Sequence, residues 1–194
     1  MIGVDLLGHG TAQKPRDPEA YRSLQDSISK LLPEQGRVDA VGFSLGARVL
    51  LTLAAEQPER FGRIVVAGVG ENVLRDDDPE VLAAAIAGDV DGDVEGVAEL
   101  FVRFAHSSGN DPLALAACLR GSRRALTKEE LAQITCPVLV VLSDDDFAGP
   151  AAPLVDAIPD ASLVRLSGVD HFGTPKNFTF IDAALEFLDA IPAF

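Results

Sequence analysis

The sequence is poor in cysteine, in basic residues and in long apolar runs. Only Cys118 and Cys136 are present. Neither belongs to a CxxC pair or lies at ligand spacing from a histidine, so zinc sites and disulfide frameworks have no support and both read as small buried thiols. Lys and Arg number 16 against 30 Asp and Glu, a formal net charge of −14. That deficit excludes a wide cationic footprint, so neither nucleic acid nor a membrane surface is expected as a partner. No run of about 18 apolar residues occurs, which argues against a membrane-spanning helix. Met1 to Gly10 lacks the basic and apolar regions of a signal peptide, and the expected location is the cytoplasm. What is present is a chain of 194 residues, 47% hydrophobic, enough for one globular domain with a sizeable core.

Short Val-, Ile- and Leu-rich runs alternate with segments of helical period, the pattern of a parallel sheet covered by helices. About five strands are expected, at Met1–Leu7, Val38–Phe43, Ile64–Val69, Val138–Leu142 and Leu163–Leu166, each apolar enough to be buried on both faces. Tyr21, Leu24, Ile28 and Leu31 recur at steps of three and four and predict a crossover helix that Pro33 and Gly36 close. Further helices are expected over Leu45–Gln57, Ala151–Ala157 and roughly Asn177–Ala190.

The stretch 71–131 breaks this rhythm, reading as several helices with no strand, and is expected to be an inserted helical lid. The core would then comprise 1–70 and 132–194. Thr127-Lys128-Glu129-Glu130 has capping-box spacing and should start the helix that leads back into the sheet. Between Glu71 and Glu99 ten acidic residues face one basic residue, Arg75, which accounts for 9 of the 14 net negative charges and reads as solvated helix surface. The alternating aspartates from Asp89 fail as a calcium loop: the positions that need Gly and Glu hold Val94 and Leu100.

Gly42-Phe43-Ser44-Leu45-Gly46 matches G-x-S-x-G between an expected strand and an expected helix. That setting suits a nucleophile: small residues on either side let the chain turn sharply and lift the serine oxygen clear of the sheet at a helix N-terminus. A serine hydroxyl is a poor nucleophile near neutrality, so it needs a base within hydrogen-bond reach and a carboxylate to orient that base. Of the three histidines, His171 follows the last expected strand and falls at the same sheet edge as Ser44. His106 reads as an exposed lid residue, and His9 sits in the Gly8-His9-Gly10 loop. The acid should follow a strand too, which points to Asp144, Asp145 and Asp146; at least two of these are ordinary turn residues.

These segments together resemble the α/β-hydrolase superfamily. Asp5-Leu6-Leu7-Gly8-His9-Gly10-Thr11 is similar to its D-x-x-G-H-G-x-S segment, Gly42–Gly46 to its nucleophile elbow, Cys136–Pro150 to its acid-bearing strand and loop, and Gly168–Phe172 to its histidine loop. The order serine, acid, histidine is also the one this fold uses. The resemblance implies an α/β fold with a mostly parallel sheet, helices on both faces and a helical lid. It implies Ser44 as nucleophile, His171 as base, Asp146 as acid with Asp145 in reserve, and the Leu45 backbone N–H as an oxyanion donor. His9 would brace its own loop. The implied activity is hydrolysis of a small carboxylic ester or related acyl compound, a small-molecule substrate, without metal or organic cofactor. Thioester, lactone and carbon–carbon hydrolysis and perhydrolysis are neighbouring chemistries, and a non-catalytic or inactive descendant is the alternative.

The family pattern also includes about 50 further N-terminal residues, with more strands and a loop that supplies the second oxyanion donor. This sequence has no counterpart to them. Either Met1–Leu7 is expected to pair with Val38–Phe43, or the sequence is a fragment of a longer product. The Gly8-His9-Gly10 backbone is the candidate substitute donor, and an open sheet edge would favour self-association into a homo-oligomer.

Overall fold

The computed structural model describes residues 2–90, 94–122 and 124–191. Two compact units divide the chain, one formed by Gln25–Asp76 with Ala125–Phe194 and the other by Met1–Leu24 with Asp77–Arg124.

The first unit holds the only sheet among the described residues. Its four strands are β1 (Val38–Phe43), β2 (Phe61–Ala67), β3 (Val138–Ser143) and β4 (Ala161–Leu166), all parallel, in the order β1-β2-β3-β4. Parallel neighbours need crossovers; helices of the segments between strands cover one face, and the helix that follows β4 covers the other. On one face α2 (Leu45–Glu56) packs Ala47, Leu50, Leu51 and Ala54 against Ile64, Val66, Val138 and Val140. On the other, Phe180 and Ala184 of α8 (Phe178–Phe187) cover Val65, Ala67, Leu139 and Val141. Helix α1 (Leu24–Ser29) precedes the sheet, and α7 (Ala152–Val155) joins β3 to β4.

Four strands replace the five expected. Residues 2–7 form no strand, and β1 is hydrogen-bonded to β2 alone. The segment has strand-like composition without a ladder partner: Ile2 is 84% exposed, and β-propensity expresses little more than fit to a half-buried pleated surface. The chain there closes a polar loop instead. Asp5 accepts hydrogen bonds from the Thr11 N–H and hydroxyl, both 2.8 Å, and the backbone bond is the larger cause of a carboxyl held below its ordinary value. A Cβ at Gly10 would fall on that carboxylate, at 2.3 Å.

Full burial on both faces holds only for β3 and for Ile64–Ala67 of β2. Asp39 and Val41 are exposed on β1, and Ser162 and Arg165 are exposed on β4, because these are the edge strands. The helix expected from Tyr21 to Leu31 is shorter. Pro18–Tyr21 makes a 3₁₀ turn, α1 spans six residues, and Leu31 is 58% exposed beyond its end.

Residues 71–131 contain no strand among those described. They hold α3 (Glu80–Ala87), α4 (Val97–Ala105), α5 (Pro112–Gly121) and α6 (Lys128–Leu131). In the second unit, Ala83, Ile86, Ala105, Leu115 and Ala116 form the common core of α3, α4 and α5. Asp111 caps α5 by accepting from the Leu113 and Ala114 N–H groups and pairs with Arg16 at 2.9 Å. Tyr21 is fully buried, and its hydroxyl donates to the Pro15 carbonyl at 2.6 Å. Burial, more than the neighbouring Cys118 and Asp111, pushes its phenol up to about 12. Residues 125–131 belong to the sheet-bearing unit, where Thr127 and Glu130 complete the capping box of α6. Within the aspartate run from Asp89, residues 91–93 lie outside the described residues. No helix among the described residues is long and apolar enough to cross a membrane.

Candidate active site

The turn between β1 and α2 begins with a glycine the geometry requires. A Cβ on Gly42 would lie 2.6 Å from the Gly46 carbonyl oxygen and 2.8 Å from the Ala47 Cα, both backbone atoms. One on Gly46 would meet nothing within 4 Å. The two glycines of the motif therefore do different work: the first lets the strand end run against the helix start, and the second is not needed for that approach.

Between them Ser44 has φ 50° and ψ −113°, one of two non-glycine residues at positive φ among those described. Such a conformation costs about 1–3 kcal/mol and persists only when its surroundings over-determine it. Here the Ser44 N–H donates to the Ala67 carbonyl at 2.8 Å, and its own carbonyl accepts the Arg48 N–H at 3.0 Å. Serine at a helix N-cap ordinarily caps through its side chain. The Ser44 hydroxyl makes no such bond and lies 3.0 Å from His171 Nε2.

His171 opens a 3₁₀ turn (His171–Lys176) that Asp170 caps by accepting the Gly173 N–H at 2.7 Å. Its ring is buried, and Nδ1 lies 2.8 Å from Asp146 Oδ2. The Asp146 side chain is 0% exposed, and its other oxygen accepts the Ala148 N–H at 2.9 Å. Against a carboxylate, Nδ1 carries the proton, which leaves the Nε2 lone pair to accept from the Ser44 hydroxyl. Serine, imidazole and carboxylate thus form one continuous hydrogen-bonded chain.

Of the three adjacent aspartates only Asp146 meets the histidine. Asp145 is exposed, and so is Asp144, which pairs with Arg165 at 3.5 Å. Ser143 ties the two loops together: its hydroxyl donates to the Val169 carbonyl and accepts the Asp145 N–H. Leu45 is the first residue of α2, so its N–H has no acceptor within the helix. His106 is exposed at the end of α4, and the ring of His9 donates to the Leu7 carbonyl of its own loop at 3.2 Å.

Sequence reasoning missed the residues around the imidazole. Phe43, Phe147 and Phe172 place their rings against His171, and the missing side chain of Gly68 makes room for it. A signal was available, since each of the three hydrogen-bonded residues has a phenylalanine next to it in sequence. Among the described residues no group of three or more His, Cys, Asp or Glu is placed to hold a metal ion.

A three-layer fold with this arrangement at the carboxyl ends of its strands defines a hydrolase-like α/β protein, and the chain belongs to the alpha/beta hydrolase family, whose model matches residues 2–190. It is 27% identical over 217 aligned positions to the 2-(acetamidomethylene)succinate hydrolase of Mesorhizobium japonicum, covering 97% of this chain and 78% of that one. The bromoperoxidase of Bacillus anthracis superposes with a TM-score of 0.74 at 19% identity, over 95% of this chain and 80% of that one. The enol-lactonase of Burkholderia xenovorans gives the same TM-score, 0.74, at 21% identity, over 95% and 79%. Both superpositions speak to the fold.

Proposed function

We propose that this protein is a serine hydrolase that cleaves a small carboxylic ester or related acyl compound through a covalent acyl-enzyme. The observation that carries this reading is the unbroken chain from the Ser44 hydroxyl through His171 to Asp146. Ser44 Oγ attacks the acyl carbon while its proton passes to His171 Nε2; the imidazolium, held by Asp146, returns that proton to the leaving alcohol. Water then repeats the sequence at the acyl group, releasing the acid and restoring the hydroxyl. The Leu45 N–H, at the positive end of α2, donates to the oxyanion that forms in each step. Nothing in this scheme calls for a metal or an organic cofactor. The named relative, the 2-(acetamidomethylene)succinate hydrolase, is compatible with an acyl substrate. A cytoplasmic setting and self-association along the free edge of β1 complete the proposal.

A fluorophosphonate probe tests the chemistry. Labelling of Ser44 that vanishes in His171→Ala supports an activated nucleophile. A folded protein that takes no label contradicts the proposal and favours a non-catalytic member of the family.

A further inference from the structure

Three of the ten phenylalanines adjoin the hydrogen-bonded residues in sequence: Phe43 before Ser44, Phe147 after Asp146 and Phe172 after His171. All three rings lie against the same imidazole. Centroid separations from His171 are 4.7 Å for Phe43 and 4.4 Å for Phe147, with planes inclined at 38° and 47°. Phe172 stands edge-on at 5.4 Å and 82°. Gly68, at φ +65°, closes a further side: a Cβ there would lie 2.9 Å from His171 Cε1 and 2.6 Å from Phe43 Cε2, so the ring edge rests on bare backbone.

Hydrogen bonds at Nδ1 and Nε2 fix the two ends of an imidazole. They resist a swing about the line joining those ends poorly, because a hydrogen bond weakens steeply only when its angle falls below about 120°. Close packing against the ring opposes that swing directly, since interiors of native density leave few voids for a side chain to tilt into. The same packing keeps water from the carbon edge of the ring.

We infer that Phe43 and Phe147 are positioning residues for His171, holding its imidazole at the tilt in which Nε2 meets Ser44 Oγ while Nδ1 stays on Asp146. The inference rests on the reading of His171 as the proton carrier. Phe147 is the better residue to test. It sits in the loop after the acid, whereas Phe43 also packs beside Val65 and Ala67 in the core under α8.

Two readouts on the full chain serve the test. The first is the rate of fluorophosphonate labelling, with kcat and KM for p-nitrophenyl acetate. The second is exchange of the His171 Nδ1 proton with water, followed by NMR and assigned against His9 and His106 with His171→Gln. Phe147→Ala is expected to lower the labelling rate and kcat about tenfold to hundredfold, the scale of a reacting group displaced by up to 1 Å, with KM little changed and proton exchange faster. Phe147→Leu, which keeps the apolar bulk, should recover most of the loss. Wild-type labelling and wild-type proton exchange in Phe147→Ala would overturn the inference. Should that variant not fold, Phe147→Leu decides: it is expected to show about threefold slower labelling and faster exchange, and wild-type values for both count against the clamp. Wild-type protein that takes no label sinks the hydrolase reading instead, and the proton-exchange comparison then judges the clamp alone.

Discussion

The two glycines of Gly42-Phe43-Ser44-Leu45-Gly46 are expected to respond to alanine with opposite signs. In Gly42→Ala the new methyl would lie 2.6 Å from the Gly46 oxygen, 2.7 Å from its carbonyl carbon and 2.8 Å from the Ala47 Cα. Ordinary contacts between carbon atoms are about 3.5–4.0 Å, so strand end and helix start must separate by roughly 1 Å. All three obstacles are backbone, and no side-chain rotation relieves them. Overpacking of this kind costs about 1–3 kcal/mol. For a domain of this length each kcal/mol moves Tm by about 2–4 °C, so the expected loss is about 2–12 °C. Ser44 lies between the displaced segments, so the 3.0 Å contact to His171 opens and fluorophosphonate labelling slows as well. In Gly46→Ala the methyl meets nothing within 4 Å and the residue lies in the first turn of α2. Replacing glycine in a helix there should stabilise by about 0.5–1 kcal/mol. Thermal unfolding of the two variants beside wild type is the assay. Equal losses of Tm in both would refute the argument that only the first glycine is sterically required.

Three further outcomes are expected. Asp146→Asn should cut the labelling rate of Ser44 by about 10⁴, the scale set by an orienting acid that fixes the wrong tautomer, while Asp145→Asn leaves it unchanged; similar rates in both would reassign the acid. Ser143→Ala strips the Val169 carbonyl and the Asp145 N–H of a buried partner, and denaturant titration should show a loss of about 1–3 kcal/mol. Tyr21 is the only tyrosine, and the sequence has no tryptophan, so ultraviolet absorbance follows one phenol. Its midpoint is expected near pH 12 in place of the ordinary 10.0. The fold favours the neutral phenol, so this contribution to stability is complete below pH 10.0 and is lost as pH rises through about 12. A midpoint near 10.0 in folded protein would contradict the burial of Tyr21.

Most of the sheet was legible because Ile64–Ala67 of β2 and Val138–Leu142 of β3 are buried on both faces and apolar without interruption. The expected strand Met1–Leu7 is apolar too, yet residues 2–7 form none, since pairing requires a neighbour that local sequence does not reveal. The Tyr21–Leu31 periodicity overstated its helix for a related reason: Leu31 matches the period but has no surface to bury against. At the candidate site, strand-turn-helix context and chain order singled out Ser44, His171 and the run Asp144, Asp145 and Asp146, because each follows the end of a strand. Choosing Asp146 over Asp145 needed the family resemblance, and burial distinguishes them in the fold. The phenyl rings around His171 were not legible by period or spacing. They come from the end of β1, the loop after β3 and the turn after β4, and meet only after the sheet has brought these segments to one edge.

Ser44 leaves one further mark on the molecule. A serine held at φ 50° that forgoes its own helix cap is a local disadvantage, relieved by a glycine that would adopt the same turn freely. Substitution of Ser44 by glycine is thus expected to gain stability. Folding alone therefore accounts for the apolar core and does not account for a serine at this one position.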